Sequence, residues 1–380
     1  MDFALTDEQK MLADGAARYV RERCDLESRR KAAASEDGFS RRHWRHFADQ
    51  GWLALTLPEA AGGLEMTVED MSILVEELGR GLVCEPLVDS AVTCAHLLSA
   101  SGSEAARAIL ADIATGEAIV TLAHLEEGDH SEYDAPVASR AERIDDGWTL
   151  SGTKTCVFYG ASATHFVVSA RNNGDDGYGL FLVAADADGI RREGYSLIDG
   201  TRAADVHFDN VRVPASALLH EPATAATVLE SALDRAVVIF GAGVVGSMEA
   251  VLELTSEYLK TREQYGKPLA SFQALKHRMS EMLVETEQAR SALYSALAAI
   301  DSDDGQRRRR AISGAKALIA QSGHFVIGEG IQLHGGIGVT EEYAVGHHFK
   351  ALIVYDKRFG DSDFHIERCG QIPAEEPQAP

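Results

Sequence analysis

From Thr224 to Tyr265 the chain contains no proline, and the run "VLESALDRAVVIFGAGVVGSMEAVLELTSEYLKTREQY" carries apolar residues at helical spacing throughout. At roughly 1.5 Å per residue, a single helix over this stretch approaches about 60 Å. Gly241, Gly243 and Gly246 are the points where a bend is expected. Two more helical patterns follow near 271–300 and 308–330, with a shorter one near 341–356, so this part of the chain predicts a four-helix bundle. What precedes the long helix has a different texture. "EAIVTLAHL", "WTLSGTKTCVFYG", "THFVVSARNNG", "YGLFLVAAD" and "ADVHFDNVRVP" are short β-branched and aromatic runs divided by Gly, Asn and Asp, which predict an antiparallel sheet or small barrel ending near Pro214. Before residue 118 the pattern is helical again. "TVEDMSILVEELGRG" has Val68, Met71, Leu74, Val75 and Leu78 on one face, and "LPEAAGG" marks a turn between helices.

A chain of 380 residues is too long for one simple core. The expected organisation is α–β–α: an N-terminal helical domain over 1–118, a middle β-domain over 119–222 and a helical bundle over 223–369. The polar, Pro-rich tail 370–380 is expected to be disordered.

The net charge of −23 excludes nucleic acid, which needs clustered positive charge. The run "RRRR" (307–310) follows "DSDDGQ" and opens an apolar pattern, so it reads as a solvated loop and helix start. Five cysteines, widely spaced and with no CxxC pair, suggest reduced thiols and no metal site. The N-terminus lacks a charged-then-apolar signal; Thr6 and Gln9 instead resemble a capping box. No stretch reads as apolar for long enough to cross a membrane, and the expected location is the cytoplasm.

Two motifs ask for a reason. "QLHGGIGVT" (332–340) places three glycines within four residues of a helical region, where each costs about 1 kcal/mol relative to alanine. "TREQYGKPLASFQ" (261–273) puts Arg262 at the end of the long helix, followed by an aromatic, a glycine, a proline and a glutamine. A basic residue completing a helix dipole before a Gly-Pro turn accounts for the second motif. A planar cation and an amide arranged around a phosphate-bearing ligand account for it as well.

Together with "LPEAAGG", these two segments resemble signatures of the acyl-CoA dehydrogenase family and occur in that family's order, over nearly the whole chain. The resemblance implies FAD-dependent introduction of a double bond between the α and β carbons of an acyl-CoA thioester. A carboxylate takes the α proton and the β hydrogen leaves as hydride to the flavin. It also implies a tetramer, an electron-transfer flavoprotein as acceptor, and a flavin lying across a subunit interface. Residues matching Arg262, Tyr265, Gln273, Gln332, Gly335 and Gly336 are then expected to reach the FAD of a neighbouring subunit.

The chain departs from the family pattern where the base should be. The usual Glu-Gly-Thr segment falls on Phe359-Gly360-Asp361, and phenylalanine takes no proton. A second branch of the family carries its glutamate on the long helix, at a position matching Ala236 here. Asp234 and Asp361 are the remaining candidates for a relocated base. The flavin-cradling segment is expected at "AHLEEGDHSEY" (123–133), where little of the family pattern is present, and the residues that back the flavin ring are replaced by Cys156-Val157-Phe158. This combination resembles the smaller-subunit type of heteromeric acyl-CoA dehydrogenase, which pairs with a base-carrying homologue as α2β2. The alternatives are a self-sufficient homotetramer with a relocated base and a non-catalytic acyl-CoA or partner-binding homologue. For His365 the expected role is structural. The small residues of "FGAGVVG" (240–246) fit either a bulky acyl group or close helix packing.

Overall fold

The computed structural model describes residues 4–172 and 177–372. Of the tail 370–380, to which the sequence assigns disorder, Gly370 instead closes the last helix, and 373–380 lie outside the described residues. Six helices open the chain: α1 (Asp7–Arg23), α2 (Leu26–Ala34), α3 (Arg41–Asp49), α4 (Val68–Arg80), α5 (Ala95–Ser101) and α6 (Glu104–Ala114). The Thr6–Gln9 capping box at α1 is formed in both directions. A π-helical turn, Val88–Cys94, leads into α5 and is buried throughout. The Thr93 hydroxyl donates to the Val88 carbonyl at 2.9 Å inside it.

Eight strands follow: β1 (Val120–Ala123), β2 (Arg140–Ile144), β3 (Gly147–Phe158), β4 (His165–Asn172), β5 (Gly179–Ala184), β6 (Ile190–Ser196), β7 (Arg202–Pro214) and β8 (Leu218–His220). Their order is β6-β7-β3-β2-β4-β5-β8, with β1 on β4. The purely antiparallel expectation needs correction at two ladders. β1 pairs with β4 in parallel from Val120↔His165 to Ala123↔Val168, and β2 runs parallel to β4 at Arg140↔Arg171. Alternation of side chains reports a strand but not its direction. The sheet also continues past Pro214 into β8. Strands β2 and β6 escape a reading by apolar pattern because they are largely polar; β6 is an edge strand with Arg191, Arg192 and Glu193 in its middle.

The long helix is α7 (Pro222–Thr261), 40 residues in one piece, with proline in its first turn. After a hairpin of β9 (Glu263–Gln264) and β10 (Lys267–Pro268) come α8 (Gln273–Leu297), α9 (Gly305–His334), α10 (Ala344–Lys357) and α11 (Ser362–Gly370). The glycines of α7 serve helix packing. A Cβ on Gly246 would overlap the Glu76 carbonyl, and one on Gly79 would overlap the Gly243 carbonyl, so the backbones of α4 and α7 touch. As a result the two helical units share one continuous core, while the sheet keeps its own around Trp148, Phe166, Phe181 and Phe208.

Two sequence expectations fail here. By length and composition α7 is apolar enough to cross a membrane; 67% of its most apolar stretch is buried inside the fold, as in a core helix. The arginines at the start of α9 are not simply solvated. Arg308 bonds Asp234 at 3.0 Å and Arg309 bonds Glu230, so acids of α7 hold a basic first turn that the helix dipole disfavours.

Candidate functional site

The interior and one end of the bundle each gather candidate residues. Inside, α4, α7, α10 and the edge of the sheet line a half-open cavity of about 140 Å³. Val75, Leu78, Phe240, Val244, Leu352 and Val354 give it apolar walls. At its sheet side lies Arg358, which follows α10 and forms a buried ion pair with Asp89 of the π-helical turn. The Arg358 guanidinium is packed over the rings of Phe158 at 3.6 Å and Phe240 at 4.4 Å.

Phe359, at the expected base position, is 4% exposed and has a left-handed backbone (φ 59°), an unusual state for a bulky residue. His365 of α11 accounts for this backbone: its Nε2–H donates to the Phe359 carbonyl at 2.8 Å, and its Nδ1 accepts from the Ser313 hydroxyl at 3.1 Å. Burial pushes the His365 pKa down to about 3, so the ring stays neutral and keeps this tautomer. The role is structural, as the sequence suggests.

Between Phe359 and the sheet only about 20 Å³ is left open, bounded by Asp89, His124, Glu132, Cys156 and Phe158. Cys156 lies where the β3–β7 register slips between Lys154 and Val157, a bulge that turns it to φ 51°. Burial pushes the carboxyl of Glu132 up. The segment 123–133 is tied inward. Glu126 accepts from the Ser139 and Ala138 amides at 2.9 and 3.0 Å and from Lys154 Nζ at 2.7 Å. Lys154 is fully buried and also bonds the His124 carbonyl (3.1 Å) and Ser169 (2.9 Å); burial pushes its pKa down against the pull of Glu126. A flavin ring does not fit into this space. The residues of the chain's own cofactor side are bonded to one another instead.

Neither candidate base reaches the cavity. Asp234 is fully buried, but it accepts from the Tyr133 hydroxyl (2.9 Å) and Arg308 (3.0 Å), with Arg368 at 3.8 Å. Burial pushes its carboxyl up in spite of these partners. Asp361 caps α11, accepting from the Phe364 amide at 3.0 Å and pairing with Lys357 at 2.8 Å, which holds its pKa down. Ala236 is buried in the core. Two carboxylates that the sequence does not single out, Glu85 and Asp199, do line the cavity. Glu85 is occupied by the Ser40 and Cys84 amides (3.2 and 3.1 Å) and by His43 at 3.3 Å. Asp199 accepts from the Thr201 amide and hydroxyl at 2.9 and 2.6 Å.

The other set is brought together on the surface. The end of α7, the start of α8 and the end of α9 meet at one end of the bundle; Tyr258 packs on His334 at 4.6 Å between ring centres, and Arg278 pairs with Glu329. Arg262, Gln273, Gln332, Gly335 and Gly336 are exposed there, and Tyr265 is 91% exposed. Gly335 ends α9 at φ 64°, whereas a Cβ on Gly336 would meet no atom of this chain within 4 Å. An added Cβ meets nothing within 4 Å at Gly335 either, so backbone conformation, not packing, explains the first glycine, and neither explains the second. A guanidinium, two primary amides and bare backbone N–H groups are suited to an anionic ligand such as a pyrophosphate. Leu283, Val284, Phe325 and Val339 are exposed apolar residues of α8, α9 and the turn after α9.

Three family matches tile the chain: acyl-CoA dehydrogenase N-terminal domain over residues 6–117, middle domain over 122–211 and C-terminal domain over 226–371. Among similar proteins, "Acyl-CoA dehydrogenase FadE27" of Mycobacterium tuberculosis is 28% identical, over 99% of this chain and 100% of its own length. "Acyl-CoA dehydrogenase IpdE2" of the same organism is 29% identical over 90% of each. A chain of a Tcur3481-Tcur3483 steroid ACAD variant superposes with a TM-score of 0.86 at 32% identity, covering 96% of this chain and 97% of its own. A chain of the ChsE4-ChsE5 complex from Mycobacterium tuberculosis does so at 0.89 and 27%, over 100% of both.

Proposed function

The chain belongs to the acyl-CoA dehydrogenase family, and from that premise we propose that it acts in FAD-dependent α,β-dehydrogenation of an acyl-CoA thioester as the base-lacking subunit of a heteromer. When bound, FAD supplies the hydride acceptor. This chain supplies Arg262, Gln273 and Gln332 as donors to a cofactor held mainly by a homologous partner, with Tyr265 beside them and Gly335 and Gly336 admitting close backbone approach. The partner supplies the carboxylate that takes the α proton. Electrons pass on to an electron-transfer flavoprotein, and the complex, an α2β2 assembly, works in the cytoplasm; the five free thiols suit a reducing compartment.

One contrast carries this reading: the interior around Phe359 is filled by this chain's own side chains, while the donors at the bundle end are exposed. The exposed Leu283, Val284, Phe325 and Val339 support a subunit contact beside them. The two similar structures each join a pair of components, Tcur3481 with Tcur3483 and ChsE4 with ChsE5, which supports a heteromer. A self-sufficient homotetramer with Asp234 or Asp361 as its relocated base is disfavoured, because both are engaged elsewhere.

The test is the flavin-to-chain ratio, read from the visible spectrum and the protein concentration. The chain purified alone is expected to carry almost no flavin, and flavin is expected on co-expression with a base-carrying homologue. A ratio near one flavin per chain for the isolated protein would refute the proposal.

A further inference from the structure

The 140 Å³ cavity has apolar walls, and three of its lining side chains carry a buried polar atom without a partner among the described residues. Arg29 of α2 lines it and is 9% exposed. Its Nη2 donates to the Asp199 carbonyl at 2.7 Å, whereas Nη1 has no hydrogen-bond partner among the described residues. Two other lining residues carry such atoms, but with less bearing on a ligand. The Tyr355 hydroxyl lies against Gly241 of α7, and Arg358 Nε belongs to a guanidinium enclosed by aromatic rings. A buried N–H left without an acceptor is costly, so Arg29 Nη1 points to an oxygen that arrives with a ligand.

Charge decides what kind of oxygen. The Asp199 carboxylate is 4.0 Å from Arg29, and Glu85 lines the same cavity. The cavity's other guanidinium, Arg358, is already paired with Asp89, so a ligand carboxylate would join Asp199 and Glu85 beside Arg29 alone, and burying a further charge without its own counterion is strongly unfavourable. A neutral carbonyl or hydroxyl accepts the N–H without that cost. Size limits the rest: an apolar cavity of roughly 150 Å³ holds a molecule such as benzene.

We propose that this cavity is a binding site for a compact apolar group bearing one neutral oxygen acceptor, a ketone or an alcohol, anchored on Arg29. This goes beyond the dehydrogenase reading, which rests on the partner's base and cofactor; here the chain binds a ligand without reacting with it.

The experiment uses the purified full chain, without partner or flavin, and saturation-transfer NMR with competition among cyclohexanone, methylcyclohexane and cyclohexanecarboxylate. Cyclohexanone is expected to bind about tenfold more tightly than either of the others, the gain from one satisfied donor. Arg29→Met should bring the ketone level with the hydrocarbon, and Val244→Phe, which fills the cavity, should remove binding of both; circular dichroism melting checks that each variant is folded. Equal binding of ketone and hydrocarbon to the wild type overturns the anchor. Tighter binding of the carboxylate overturns the neutral-oxygen class, and binding that survives a folded Val244→Phe overturns the site. The wild-type comparison decides the anchor even if a variant does not fold. Because no flavin is involved, a positive result stands if the flavin-ratio test fails, and a negative one leaves that test untouched.

Discussion

Phe359 and Gly336 lie in the same C-terminal unit, and the chain treats them in opposite ways. Around Phe359, side chains of this chain fill the space: Arg358 is paired with Asp89, three aromatic rings enclose its guanidinium, and His365 holds the Phe359 carbonyl. Around Gly336, Arg262, Gln273 and Gln332 are exposed, and no neighbouring atom of the chain requires a glycine. Substitutions in the first region should therefore register as stability of the isolated chain. Substitutions in the second should register only in a complex.

The largest expected effect is the response of the interior to acid. Burial pushes His124, His348 and His365 down to about 3, and His96 to about 4, from an ordinary 6.5. Each is neutral when folded and binds a proton readily when unfolded, so its contribution is present above pH 6.5 and is lost as pH falls toward the folded value. By pH 4.5 each loss is about 3 kcal/mol, and the four together on the order of 10 kcal/mol. Asp234 and Glu132, whose carboxyls burial raises, work in the opposite sense. His365→Gln keeps a donor for the Phe359 carbonyl without titrating. Urea denaturation at pH 7 and 4.5 should show the wild type losing about 3 kcal/mol more than this variant. Curves that fall in parallel would mean that His365 is not held neutral.

Next in size is the buried ion pair. Asp89→Leu strands the Arg358 guanidinium and should cost about 3–5 kcal/mol in chemical denaturation. Arg358→Leu added to it should recover most of that loss, since replacing both members of a buried pair by apolar residues is often neutral. If Asp89→Leu alone were neutral, the pair would not be what closes this region, and the contrast with the bundle end would weaken.

How much of this was legible in the sequence differs between the two regions. The long helix and the α–β–α order follow from local signals, helical periodicity and strand texture, whereas the grouping of Arg262 with Gln332 is what the family resemblance implies. The Asp89–Arg358 pair joins residues far apart in sequence and rests on a π-helical turn, which periodicity does not announce. The same holds for Lys154 in "SGTKT", whose burial depends on Glu126 and Ser169 arriving from other strands. In the sequence Asp234 reads as a solvated or salt-bridged helix acid before it reads as a relocated base, and the partners that engage it, Tyr133 and Arg308, lie in distant segments. The parallel ladders of β4 escape a sequence reading because side-chain alternation carries no direction.

At the bundle end the expected effects are smaller and appear elsewhere. Arg262→Ala should leave the denaturation midpoint of the isolated chain within about 0.5 kcal/mol, as for an exposed side chain. In the co-expressed complex, loss of a charge-assisted hydrogen bond should weaken flavin retention by roughly 1.5–3 kcal/mol, about 10- to 100-fold, measured by fluorescence titration of the apo-complex. Unchanged flavin affinity would remove Arg262 from the cofactor site and leave it as a helix-terminal cation.

The smallest effect separates adjacent residues. Gly335 has φ 64° and ψ −141°, a backbone state outside the left-handed helical region and essentially restricted to glycine, so Gly335→Ala should destabilise the isolated chain by about 2 kcal/mol whatever binds nearby. Gly336 has no such backbone demand and no atom of the chain within 4 Å of an added Cβ. Gly336→Ala should therefore leave the isolated chain unchanged or stabilise it by up to about 1 kcal/mol, the ordinary helical preference for alanine. The same methyl placed against a dinucleotide on a partner should lower flavin content in the complex. If the complex tolerates Gly336→Ala while Gly335→Ala unfolds part of the isolated chain, the glycine cluster is only a helix end. If the two effects fall on different species, as expected here, Gly335 answers to this chain's backbone and Gly336 to another chain's cofactor.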